Sequence, residues 1–199
     1  MRLKNLAYVL TVVLTASLAL LLPTSAANAD PAFPGGRPDT GGGTHTWCVI
    51  NNPAVVLHET AYDSMLHMRD QTIVGRAYHD PCVPSTDVKW VWNPYLQGDA
   101  YGTAVCVAEH SDGKCDQFIV TLYRKIIDLA PYPDSQLRKT ACHELGHTLG
   151  VSHYTGSNYP GSDTSHSCLR SGDVPTPNKS WHTTYGKHHV NSHINPWFS

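Results

Sequence analysis

The sequence predicts an α+β domain in which helices stack on a sheet, sandwich fashion, and three observations carry that reading. From residue 54 to about 69 the apolar residues Val55, Val56, Leu57, Ala61, Met65, Leu66 and Met68 follow a broad helical period. Residues 87–92, 101–108 and 118–123 read as strands, the last two flanking an Asp112-Gly113 turn. After a helix-start signal at Pro133-Asp134-Ser135, Leu137, Ala141, Leu145 and Leu149 recur at every fourth residue.

Ahead of these elements lies a segment that reads as an export signal. Arg2 and Lys4 make a basic start, residues 6–22 an apolar core, and Ala27-Asn28-Ala29 a small-x-small cleavage site. A membrane anchor of about 20 apolar residues would have to accommodate Thr11, Thr15, Ser17 and Pro23. Cleavage after residue 29 leaves 170 of the 199 residues, enough for one core and too few for two. Residues 30–45, rich in Gly and Pro, read as a flexible segment, and residues 46–199 as a single domain.

Losing Arg2 and Lys4 takes the basic residues from 14 to 12 against 16 acidic ones. A mildly acidic surface gives no reason to expect a nucleic acid or an anionic membrane as partner. All six cysteines (Cys48, Cys82, Cys106, Cys115, Cys142 and Cys168) follow the signal, which suits an oxidising compartment and three disulfides. Fifteen pairings are open and the sequence does not choose among them. The preferred set joins Cys48 to Cys82, Cys106 to Cys115 across the 111–114 turn, and Cys142 to Cys168.

The second predicted helix carries the chemistry. His143-Glu144-Leu145-Gly146-His147-Thr148-Leu149-Gly150-Val151-Ser152-His153 spells H-E-x-x-H-x-x-G-x-x-H. Residues four apart lie on one helix face, so His143 and His147 can address a single ion. Gly150, without a Cβ, can end the helix in a left-handed turn and bring His153 in from a loop. Three neutral histidines leave zinc an open fourth position for water, as in catalytic sites. Glu144 leans toward the same space without ligating, where a carboxylate can take a proton from that water. The chain has only three glutamates, so chance placement of the whole pattern is a poor explanation. The apolar stripe of this helix falls roughly opposite His143 and His147, so one face is expected to pack inward and the other to line a cleft.

This extended motif resembles that of the metzincin zinc endopeptidases, and the segment from Thr140 to His153 is most similar to their matrixin-like bacterial branch. The resemblance covers residues 134–172 well and the rest of the mature chain loosely. It implies a mixed twisted sheet, a long first helix, an active-site helix and a small C-terminal subdomain ending in a helix, for which residues 185–194 are the candidate. The family's pattern continues with a methionine turn beneath the metal. Here the only methionines are Met1, Met65 and Met68, so Leu169 in Ser167-Cys168-Leu169-Arg170-Ser171-Gly172 stands at the equivalent place. Leucine and methionine have similar volumes, so an apolar floor can survive the exchange.

What the resemblance implies about function is hydrolysis of an extended polypeptide by a secreted, monomeric enzyme of bacterial type, with one Zn2+ and Glu144 as general base and then acid. Tyr185 is a candidate for assisting the oxyanion, and residues 172–177 for a wall of the substrate pocket. In the family an edge strand before the active-site helix pairs with the substrate backbone. Gly102, Thr103, Ala104 and Val105 are the candidates, the competing reading being an internal strand. Relatives often bind Ca2+, but neither Asp112-Gly113 nor Ser162-Asp163 has the carboxylate density of a calcium loop. His189 and His193 have helical spacing but no following glutamate and no matching third ligand. The rival reading of the whole chain is a catalytically impaired secreted zinc-binding module.

Overall fold

The computed structural model describes residues 36–50, 55–95, 98–153 and 167–199. The expected signal at 1–29 and the Ser162-Asp163 pair lie outside those residues. Strands β1 (Thr44–Val49), β2 (Gly75–Tyr78), β3 (Val88–Asn93), β4 (Gly102–Glu109) and β5 (Cys115–Tyr123) form one mixed sheet in the order β2-β1-β3-β5-β4. The pairs β1–β2, β1–β3 and β3–β5 are parallel, and β4 runs antiparallel to β5. The chain is thus α+β, with β4 at an edge. Of the two readings left open for residues 102–105, the edge strand is the one the topology selects.

Helices α1 (Val55–Gln71) and α3 (Pro133–Thr148) pack on each other and on the sheet, with the short α2 (Arg124–Asp128) between β5 and α3. Helix α1 buries the apolar row Leu57, Ala61, Met65 and Met68 together with Ser64, whereas Val55 and Val56 of the predicted pattern stand exposed at its start. They meet Trp47, Val88, Trp90, Val120 and Leu122, which belong to the same core cluster. Lys89, Val91, Ile119 and Thr121 alternate to the other face and are only partly buried.

Strands β1 and β2 and helix α2 were not foreseen. The four residues of β2, Gly-Arg-Ala-Tyr, carry no alternation, and the strand exists because its backbone pairs with β1. The described part of the Gly/Pro-rich stretch makes backbone contacts with the sheet. Asp39 donates its N–H to the Cys115 carbonyl (2.9 Å), Cys115 donates to the Arg37 carbonyl (2.8 Å), and Thr44 and His45 already belong to β1. Trp197 Nε1 donates to the Pro38 carbonyl at 2.9 Å, and the Arg37 guanidinium lies 4.3 Å from that indole ring.

The C-terminal segment is helical from Gly186 to Phe198, in three pieces: α4 (Gly186–His189), a π-helical turn (Val190–Ile194) and α5 (Asn195–Phe198). Disulfides join Cys48 to Cys82, Cys106 to Cys115 and Cys142 to Cys168, the pairs preferred from sequence. Among the described residues, no helix is long and apolar enough to cross a membrane.

Candidate metal centre

Helix α3 supplies His143, Glu144 and His147, and its end brings in His153. Gly150 adopts φ +80°, the left-handed conformation that closes a helix. Gly150 donates to the His147 carbonyl (2.9 Å) and Val151 to the Gly146 carbonyl (3.2 Å), so the last carbonyls are satisfied as the chain turns back. One ring nitrogen from each of His143, His147 and His153 then lies within 4.8 Å of the others. Their ring centroids are 4.7 to 4.9 Å apart.

The donor set fits a zinc ion. His143 Nδ1 lies 2.9 Å from the Cys168 carbonyl and His147 Nδ1 lies 2.8 Å from the Val151 carbonyl. A carbonyl can only accept, so each Nδ1 carries the proton and each Nε2 keeps a lone pair for a metal. Burial, the largest cause, lowers all three histidine pKa values, that of His147 to about 4, which keeps the imidazoles neutral as ligands must be. Burial raises the Glu144 carboxyl to about 8, partly opposed by the positive charge of Lys139. A dication beside it would act in the same sense as Lys139 and favour the carboxylate.

The turn below the histidines is built by Cys168 and Leu169. The Cys142–Cys168 disulfide ties it to α3, Cys168 donates its N–H to the Thr184 carbonyl (2.7 Å), and Leu169 is fully buried. A Cβ on Gly146 would come within 2.5 Å of Leu169 Cδ2 and 3.1 Å of Tyr185 Cε1, so both side chains press on the helix between the two histidines. Tyr185 is thereby placed under α3 and does not line the cleft, which corrects its candidacy as an oxyanion donor.

Above the histidines runs β4. A Cβ on Gly102 would lie 2.8 Å from Glu144 Cγ and from Thr140 Cγ2, so glycine is what allows strand and helix to meet. Gly102, Thr103, Ala104 and Val105 line one side of a cleft of about 530 Å³, with His143, Glu144, His147 and His153 at its base and Ser171, Gly172 and Asp173 opposite. The predicted wall at 172–177 is thus met at its first two residues, while Val174 is buried. A larger groove of about 630 Å³ between α1 and the start of α3 is lined by none of the three histidines, so the smaller cleft is the one with convergent chemistry.

Helix α3 was expected to bury one face only, yet nearly every residue from Ser135 to Thr148 is buried. The reason is a second layer of polar contacts on the side away from its apolar row. Ser135 Oγ accepts from Asn178 N (3.1 Å), Gln136 Oε1 from Val174 N (2.9 Å), and Lys139 Nζ donates to the Gly172 carbonyl (3.1 Å). Lys139 went unnoticed in the sequence, although it stands four residues before His143 and so on the ligand face of the helix. Elsewhere, Asp112 directs its carboxylate to the Lys114 ammonium (2.6 Å), as a turn residue does. His189 Nδ1 is turned inward onto the Tyr185 carbonyl (2.6 Å), while His193 Nε2 meets His188 Nε2 at 3.2 Å.

No sequence-family model and no curated protein matches the chain. Solved structures with a similar arrangement include the GM1-bound ECX AB5 holotoxin (TM-score 0.43, 13% identity, 66% of this chain and 63% of that one). An archaemetzincin from Methanopyrus kandleri has a TM-score of 0.43 and 12% identity, covering 73% of this chain and 89% of that one. Myroilysin has a TM-score of 0.37 and 12% identity, covering 62% of this chain and 48% of that one. The chain therefore spans less than two thirds of the holotoxin chain and about half of myroilysin. Such distant likenesses transfer no activity, and the chemistry has to come from the site's own side chains.

Proposed function

We propose that the chain is a secreted, monomeric, metzincin-type zinc endopeptidase that cleaves extended polypeptides. The observation that carries this reading is the convergence of His143, His147 and His153 at the base of a cleft that also holds Glu144. His143 and His147 would hold the zinc through Nε2, and His153 through the ring nitrogen that faces them. When bound, zinc supplies a Lewis acid and lowers the pKa of water toward about 7.

The protein's own groups account for the remaining steps. The exposed edge of β4 offers main-chain donors and acceptors at 102–105 to an extended peptide, as in strand addition. Glu144 takes a proton from the attacking water as its oxygen bonds to the scissile carbonyl carbon. As the C–N bond breaks, the same carboxyl passes that proton to the leaving amine nitrogen. Leu169, buried against Gly146, provides the apolar floor that a methionine would give, which favours a working site over the impaired zinc-binding module. Three disulfides suit an extracellular setting.

A peptide-library digest by the mature protein, run beside Glu144→Gln with and without chelator, tests the reading. Wild type should cleave, chelator should stop it, and Glu144→Gln should bind zinc without cleaving. An active Glu144→Gln protein would overturn the assigned chemistry.

A further inference from the structure

Lys139 is only 4% exposed, and it lines the same cleft as Glu144 and His143. Its ammonium has three protons to donate. Among the described residues it makes one hydrogen bond, to the Gly172 carbonyl at 3.1 Å, and no ion pair. The carboxylates of Glu144 and Asp173 act on its charge through space without forming an ion pair with it, and Asp173 Oδ1 accepts the Tyr101 hydroxyl at 2.6 Å. A lysine so deeply buried without a counter-ion in contact is rare, because the desolvated charge is costly unless something pairs with it. Lys139 is one of the residues that line the cleft, so a group that pairs with it can arrive with a ligand.

We propose that Lys139 makes the cleft selective for a carboxylate, carried by a glutamate or aspartate side chain on the residue that follows the cleaved bond. The side follows from Glu144, which hands its proton to the leaving amine and lines the same cleft as Lys139 from the same helix. The residue bearing that amine is therefore the one whose side chain enters between α3 and the 171–173 wall. The Gly172 carbonyl accepts one hydrogen bond from the ammonium, leaving the remaining donors for the incoming oxygens. This inference rests on the endopeptidase reading for where the bond is cut, and it is tested separately by binding.

Matched peptides carrying Glu or Gln after the cleaved bond provide the measurement. A charge-assisted pair in a desolvated site should favour Glu by about tenfold or more in kcat/KM. Equal rates for the two peptides in wild type would overturn the proposal without any variant being made. In Lys139→Met the Glu-to-Gln ratio should collapse toward one, and a retained preference would equally sink it. Peptides ending at that residue as free acid or amide separate a side-chain carboxylate from a terminal one; acceleration by the free terminus alone would refute the side-chain assignment. Binding of both peptides to Glu144→Gln, followed by fluorescence anisotropy, should show the same preference for Glu. Discrimination in binding with no cleavage by wild type would refute the endopeptidase reading and leave Lys139's role intact. Cleavage without discrimination would do the reverse.

Discussion

Leu169 and Gly146 interlock: the leucine Cδ2 lies 2.5 Å from where a Cβ on Gly146 would sit. The glycine between the two helical histidines is thus what lets the turn rise against the ligand helix. The same turn presents the Cys168 carbonyl that fixes the His143 ring at 2.9 Å. Gly146→Ala should therefore cost about 1–3 kcal/mol through overpacking and should also weaken metal binding. Urea midpoints and a zinc titration check both. Leu169→Met should stay within about 1.5 kcal/mol of wild type, because volume and polarity are kept.

Zinc should stabilise the fold by mass action. At a free concentration one hundred times its Kd, a ligand that binds only the native state adds about 2.7 kcal/mol. The melting temperature should rise with zinc and fall with chelator. His143→Ala and His147→Ala should each abolish the shift. Identical melting curves with and without zinc would remove the metal from the account.

The Cys142–Cys168 bridge closes a sequence separation of 26 residues. In the chain-entropy account, opening it costs about 3 kcal/mol. The paired variant Cys142→Ser with Cys168→Ser should lose that stability and also loosen the carbonyl that orients His143. A larger proportional loss of zinc affinity than in Cys106→Ser with Cys115→Ser would show that the bridge serves the site.

His45 predicts an acid limb of stability. Its ring is 1% exposed, and burial lowers its pKa from 6.5 to about 4. Thr148 Oγ1 donates to the Leu145 carbonyl (2.8 Å), so it accepts from His45 Nε2 (3.0 Å). Asp87 Oδ2 stands 3.9 Å from Nδ1, but with the ring neutral this is no ion pair. In the unfolded chain the ring takes a proton below about pH 6.5, whereas in the fold it resists until about 4. Stability should be flat in this respect above pH 7 and should fall by about 3 kcal/mol between pH 6.5 and 4. Urea midpoints at pH 7.5 and 5 should differ less in His45→Gln than in wild type.

Much of the site was legible because it is local. The spacing of His143, Glu144 and His147 is a property of helical geometry, and Gly150 reverses the chain with no help from distant residues. The apolar rows of α1 and α3 and the alternation in β3 and β5 were legible for the same reason. Strands β1 and β2 were not, since a short strand with no apolar alternation is defined by the partner it pairs with. Nor were the backbone bonds of Arg37 and Asp39 to Cys115, which join segments far apart in the chain.

The sequence by itself determined which side chains can hold zinc and which carboxylate stands ready beside it, because those relations span a few residues of one helix. Only the tertiary structure decided that β4 is an edge strand above that helix, that Leu169 rises against Gly146, that Tyr185 lies outside the cleft, and that Lys139 is buried along it without an ion pair. Each of these joins residues far apart in the chain, so it is settled by which surfaces pack together and not by local spacing.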